Sequence, residues 1–186
     1  MIRIVSGKYK GKRLAAPEGD RTRPTTEKVR ESVFNILASI GEIRGRVLDL
    51  FAGSGALGIE ALSRGAEEAV FVEKNHKAAA VVRRNVSEVG CGSRVFNTDW
   101  KVAVRKLVGQ APFDLILLDP PYALCIESDI LRAVTEGGLL APGGVIVVEH
   151  AADNDFAYDD KIFSADRRTY SDTCVTFLRR RADEEA

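Results

Sequence analysis

Four consecutive residues, Asp119-Pro120-Pro121-Tyr122, combine an acid, a backbone that cannot continue a strand and an aromatic ring, directly after the apolar run Phe113 to Leu118. Two prolines in a row stop a strand and free the Pro120 carbonyl from any ladder. That carbonyl and the Asp119 carboxylate can then accept the two hydrogens of one exocyclic amine, while Tyr122 stacks on the ring that bears it. An amine conjugated to a purine is a poor nucleophile because its lone pair is delocalised. Two acceptors that favour a pyramidal nitrogen help it attack an electrophilic methyl group, and alignment carries the reaction without a strong base. A plain strand-ending turn would account for the prolines but not for the acid and the ring on either side.

A second constellation lies upstream. Asp49-Leu-Phe-Ala-Gly-Ser-Gly-Ala-Leu-Gly58 places Gly53, Gly55 and Gly58 in the spacing G-x-G-x-x-G between an apolar run and a helical pattern. The missing side chains let the backbone approach a nucleotide-like cofactor and let the helix pack close to its strand. Glu73, 20 residues after Gly53, ends the next apolar run, where an acid can take both hydroxyls of a ribose or simply be exposed. In Asn97-Thr98-Asp99-Trp100 the acid can accept an adenine amino hydrogen while Trp100 lines the ring, or it can cap a helix starting at Trp100.

These residues act together only if a fold carries them to one edge. From Arg46 onward, strand-like runs at Val47 to Phe51, Ala69 to Glu73, Ser93 to Asn97, Phe113 to Asp119 and Val145 to His150 alternate with helical stretches near 57–64, 75–89, 100–108 and 127–137. Such alternation predicts an α/β fold of parallel strands joined by right-handed crossovers, with ligands at the carboxyl ends of the strands. Lys161 to Thr169 and Thr173 to Arg180 flank Tyr170-Ser171-Asp172 and read as an antiparallel hairpin closing one sheet edge.

Ahead of the alternating region, Ile2 to Ser6 and Lys12 to Ala15 flank Gly7-Lys8-Tyr9-Lys10-Gly11, a hairpin with a cationic tip. Tyr9 there offers a face to a nucleic-acid base or packs the hairpin onto the domain. After a polar linker from Pro17 to Pro24, Thr25 or Thr26 is the expected N-cap of a helix. Val29, Val33, Ile36, Leu37 and Ile40 share its apolar face, with Lys28 and Arg30 on other faces. Residues 1–42 therefore read as a basic hairpin-and-helix extension and 43–186 as the main domain.

Composition bounds the function. The 186 residues suffice for one main domain, and no run approaches the ~20 apolar residues of a membrane helix. The basic N-terminus lacks a following apolar core, so a cytoplasmic protein is expected. Cys91, Cys125 and Cys174 are widely spaced and read as ordinary buried thiols; His76 and His150 have no ligand set around them, so no metal is expected. Net charge is zero, yet residues 1–30 hold nine Lys or Arg against three acids, leaving +6 there and −6 over the rest. A basic arm on a mildly acidic body suits a polyanion, or is merely a solvated N-terminus.

In this order, Asp49-Leu-Phe-Ala-Gly-Ser-Gly, Glu73, Asp99 and Asp119-Pro-Pro-Tyr122 resemble the S-adenosylmethionine-dependent methyltransferases that modify exocyclic amines. Gly7-Lys-Tyr-Lys-Gly-Lys-Arg13 and Arg23-Pro-Thr-Thr-Glu-Lys-Val-Arg-Glu-Ser-Val-Phe-Asn35 narrow this to a similarity with bacterial guanine-N2 methyltransferases of small-subunit ribosomal RNA, over nearly the whole chain. The resemblance implies a Rossmann-like class I methyltransferase sheet. It implies S-adenosylmethionine contacts at Asp49, Phe51, Ala52, Gly53, Ser54, Gly55, Glu73, Lys74, Thr98, Asp99 and Trp100, and at Thr25. The target guanine would meet Asp119, Pro120, Pro121 and Tyr122. Ribosomal RNA, free or in a small-subunit assembly intermediate, would meet Lys8, Tyr9, Lys10, Lys12, Arg13, Arg21 and Arg23, and a monomer is expected. Three alternatives stand beside it. Asp-Pro-Pro-Tyr is shared with DNA adenine-N6 methyltransferases, the glycine turn and ribose acid with NAD-dependent oxidoreductases, and the fold alone would serve a non-catalytic RNA-binding module.

Overall fold

The computed structural model describes residues 2–18 and 24–181, with the backbone alone for 24–26. Its centre is a seven-stranded sheet formed by β3 (Arg46–Asp49), β4 (Glu68–Glu73), β5 (Arg94–Asn97), β6 (Phe113–Leu118), β7 (Leu140–Ala151), β8 (Phe163–Tyr170) and β9 (Thr173–Arg180). The spatial order is β5-β4-β3-β6-β7-β9-β8. The first five are parallel, and β9 joins β7 antiparallel with β8 outside it. The expected C-terminal hairpin is thus present, with its second strand inserted inside the first.

Both faces of the sheet are covered, which is why its strands are continuously apolar rather than alternating with polar residues. Leu115, Leu117, Val145 and Val147 point into one core with Val29, Val33, Phe34 and Leu37 of α1 (Pro24–Ser39), Ile59 and Leu62 of α2 (Ala56–Ser63), and Val82 and Val86 of α3 (His76–Val89). Ile116, Leu118, Ile146 and Val148 point the other way, into a core with α4 (Trp100–Leu107) and α5 (Glu127–Glu136). The N-terminal hairpin, β1 (Ile2–Arg3) with β2 (Arg13–Leu14), sends Ile2, Ile4 and Leu14 into the first core, so residues before Gly41 share a core with the sheet.

Several expectations need correction. Helix α1 starts at Pro24, which places Thr25 and Thr26 inside its first turn rather than at its cap; proline suits that first position because its missing N–H has no partner there anyway. Its buried face is Val29, Arg30, Val33, Phe34 and Leu37, so Arg30 lies inside, while Ile40 falls beyond the helix and is exposed. Arg30 is held in because its guanidinium donates to the Arg3 carbonyl at 2.7 Å. Strand β7 begins at Leu140, five residues before the expected Val145, and carries Pro142 across an irregularity where Phe113 pairs with Leu140 but Leu115 pairs with Val145. A bulge tolerates a proline that a regular ladder would not. Cys125 is exposed, in the left-handed region after a single turn of 3-10 helix over Tyr122–Leu124.

Candidate active site

The strand order reverses between β3 and β6, the place where open α/β sheets bind ligands. Asp49 at the end of β3 pairs with Leu117 near the end of β6. The glycine turn and Asp119-Pro-Pro-Tyr122 therefore leave the sheet from neighbouring strands at the same edge.

The turn is built by its backbone. Leu50 N–H donates to the Leu117 carbonyl at 3.1 Å, Ala52 N–H to Val72 at 3.0 Å and Gly55 N–H to Ala52 at 2.6 Å. Gly53 has φ +55°, and a Cβ there would meet no atom within 4 Å, so the space above it is open to a ligand. Gly58 serves packing: a Cβ would lie 2.4 Å from the ring of Phe71 on β4. Phe51 is partly buried, while Ala52 and Ser54 are buried in the turn.

Asp49 is 1% exposed. Its Oδ2 accepts the Gly58 N–H at 2.9 Å, while Oδ1 has no hydrogen-bond partner among the described residues. Burial pushes the carboxyl up to about 7, the Gly58 N–H opposes this, and the negative charge of Glu73 adds to it. A buried carboxylate with an empty acceptor is costly unless a cation or donor completes it. This site therefore fits a ligand with a cationic end.

Glu73 ends β4 as expected. One oxygen accepts the Gly53 N–H at 2.9 Å and the other the Asn75 N–H at 2.7 Å, so the acid fastens the glycine turn to the start of α3. Each oxygen keeps a second lone-pair direction for a ribose hydroxyl. Asp99 is the N-cap of α4, accepting the Lys101 N–H at 2.9 Å, with the Lys74 ammonium 3.1 Å away. That N–H first, and then Lys74, hold it below the usual carboxylate range. Thr98 is tied to β4 through its N–H to the Glu73 carbonyl at 3.1 Å. Trp100, expected to line an adenine ring, is 8% exposed and part of the second core. As the first residue of α4 its side chain turns into the helix–sheet layer.

At the end of β6, Pro120 is buried, Asp119 half-buried and Pro121 exposed. The Tyr122 hydroxyl donates to Glu149 Oε1 at 2.9 Å and lies 3.5 Å from Thr173 Oγ1. Burial, with the charges of Glu149 and Asp119 adding, keeps the phenol protonated well above its ordinary range. Sequence reasoning missed Glu149, although an acid in Val147-Val148-Glu149-His150, at the carboxyl end of an apolar strand, was a usable signal. It also missed Asn85 of α3, fully buried, whose amide bonds Ala15 on both sides and donates to the Ser54 carbonyl at 2.8 Å.

Lys8, Lys10, Lys12 and Arg13 are exposed on the N-terminal hairpin. Tyr9 is half-buried against the first core, with the Lys8 and Lys12 ammonium groups 4.9 and 5.4 Å from its ring centre. The packing reading of Tyr9 therefore describes its body, with cations around the ring. The hairpin is bolted to α2: Glu60 accepts Val5 and Ser6 N–H, and Ser63 accepts Tyr9 N–H through Oγ at 2.9 Å and Lys8 N–H through its carbonyl at 2.8 Å. Arg21 and Arg23 lie outside the described residues, as does the Thr25 side chain. Among the described residues there is no cluster of three or more His, Cys, Asp or Glu able to hold a metal, and no helix long and apolar enough to cross a membrane.

The strand order and the two strand-end motifs define a class I methyltransferase fold. A solved structure of a putative methyltransferase from Escherichia coli, yhhF, superposes with a TM-score of 0.86 at 31% identity, covering 98% of this chain and 99% of that one. The chain belongs to the family described as conserved hypothetical protein 95, which matches residues 2–179. Among its relatives, the putative rRNA methyltransferase YlbH of Bacillus subtilis is 42% identical over 152 residues, 80% of this chain and 82% of that protein. Ribosomal RNA small subunit methyltransferase D of Escherichia coli K12 is 35% identical over 155 residues, 82% and 76% of the two chains.

Proposed function

We propose that this protein transfers a methyl group from S-adenosylmethionine to the exocyclic N2 amine of one guanine in small-subunit ribosomal RNA, in the cytoplasm. The observation that carries the reading is the meeting of the glycine turn and Asp119-Pro-Pro-Tyr122 on adjacent strands at the reversal point of the sheet. The relatives named as ribosomal RNA methyltransferases support the class of substrate, and they weigh against an oxidoreductase.

Glu73 would hold the ribose hydroxyls of the cofactor, Asp99 its adenine amine, and Asp49, whose buried Oδ1 has no partner among the described residues, its cationic methionyl end. When bound, S-adenosylmethionine supplies an electrophilic methyl open to in-line attack by an amine. Asp119 and the Pro120 carbonyl accept the two amine hydrogens and direct the nitrogen lone pair. Tyr122, its hydroxyl tied to Glu149, keeps its ring in place against the base. A guanine paired in a helix cannot present its amine to such a pocket, so the target base leaves its stack or is presented in a loop. The exposed cations of the N-terminal hairpin hold the RNA backbone.

The test is a labelled-methyl assay offering small-subunit ribosomal RNA, assembled subunits and duplex DNA in parallel, followed by nucleoside analysis. N2-methylguanosine in RNA is the expected product. N6-methyladenine in the duplex would transfer the pocket to the DNA alternative.

A further inference from the structure

Glu149 is unexplained by cofactor binding or by the amine cradle. It lies on β7, where Val148 pairs with Leu118, so it stands one strand over from Asp119 and level with it at the same sheet edge. It also lines a narrow cleft with Leu57 at the start of α2, Leu118 at the end of β6 and Arg30 of α1. Burial raises the Glu149 carboxyl above its ordinary range while the Tyr122 hydroxyl, donating to one oxygen, opposes this; in its ionised form the group is acceptor-only.

Neighbouring parallel strands run about 4.8 Å apart, so acids at matching strand ends can address adjacent atoms of one flat ring. Guanine offers two adjacent donors on one edge, the N2 amine and N1–H. Adenine offers a donor amine beside N1 as an acceptor. Resting on the guanine-N2 reading above, we propose that Glu149 is the base-reading residue: it accepts guanine N1–H while Asp119 and Pro120 hold the N2 amine. Adenine and 2-aminopurine would set their N1 lone pair against its oxygen, and a site built to bond a donor rejects an analogue lacking one.

The experiment uses the full-length protein and small-subunit RNA ligated to carry guanosine or 2-aminopurine riboside at the mapped target. 2-Aminopurine keeps the N2 amine but has no N1–H. The wild type should methylate guanosine with kcat/KM about 10- to 100-fold above 2-aminopurine, the range for a lost buried hydrogen bond. Glu149→Gln can still accept from Tyr122 while offering an amide donor to N1. Its guanosine rate should fall, and its preference should shrink by about 10-fold or invert toward 2-aminopurine. If Glu149 only steadies Tyr122, Glu149→Gln and Tyr122→Phe will lower both substrates by one common factor, and an unchanged preference overturns the proposal. Titration with S-adenosylhomocysteine checks that each variant retains a folded cofactor site. If the wild type forms no N2-methylguanosine on the natural RNA, the parent reading has failed; if it does and the preference stays fixed, only the role of Glu149 has.

Discussion

Asp49→Asn should stabilise the protein in alkali while weakening its grip on the cofactor. The carboxyl, ordinarily near 3.8, is pushed up to about 7 in the folded chain, chiefly by burial. Because the folded value is the higher one, the folded state prefers the proton and ionisation opposes folding. The penalty begins near pH 4, where the unfolded chain ionises, and is complete above pH 7. At about 1.4 kcal/mol per pH unit, it amounts to roughly 4 kcal/mol at pH 8 and roughly 2 kcal/mol at pH 5. Asparagine fits the same space, can accept the Gly58 N–H and carries no charge. Urea unfolding without ligand should therefore show the variant gaining on the wild type by roughly 2–3 kcal/mol between pH 5 and pH 8. A cationic ligand end favours the ionised acid, so wild-type affinity for S-adenosylhomocysteine should rise from pH 5.5 to pH 8, and the rise should vanish in Asp49→Asn. A stability difference that does not change with pH, or an equal affinity slope in both proteins, would refute the reasoning.

Asp119→Ala should lower methyl transfer by about 100- to 1,000-fold, the range for losing one preorganised electrostatic interaction, with little change in S-adenosylhomocysteine affinity; near-normal turnover would remove its role. Replacing Lys8, Lys10, Lys12 and Arg13 with Ala should weaken RNA binding and flatten the plot of log K against log salt by about 0.7 for each phosphate no longer neutralised. Filter binding across a salt series reads this, and an unchanged slope would clear the hairpin of any part in RNA binding. Gly58→Ala forces a methyl to 2.4 Å from the Phe71 ring and should cost about 1–3 kcal/mol in urea unfolding; a wild-type midpoint would mean that α2 shifts freely.

The parallel sheet was legible because strands buried on both faces are apolar throughout and punctuated by polar strand ends, and the four helices of the alternating region fell within a residue of their expected bounds, whereas α1 starts ahead of its expected cap. The long start of β7 was not, since Ala141-Pro142-Gly143-Gly144 has the composition of a loop and is held in the sheet only by its neighbours. Asp49, Glu73 and Asp119 could be found by position along the chain, as each ends or follows a strand. Arg30 and Asn85 could not. Both are polar residues buried against distant backbone, Arg3 for one and Ala15 and Ser54 for the other, and one-dimensional periodicity assigns such side chains to solvent. Trp100 differs again: a large aromatic beside a strand end invites a ligand, and its packing in the second core is not visible from its position along the chain.

The bonds from the N-terminal hairpin to Glu60, Ser63 and Asn85 span 54 to 70 residues of chain. The hairpin must thus wait for partners made later in the chain. At about 5–20 residues per second, roughly 4–14 s separate the synthesis of Ala15 from that of its anchor Asn85. Until the later strands follow, Ile2, Ile4 and Leu14 lack part of the core they enter in the finished fold. Without α2 the Val5, Ser6, Lys8 and Tyr9 N–H groups lose their partners, so this basic hairpin cannot be transplanted without the helix that begins at the glycine turn.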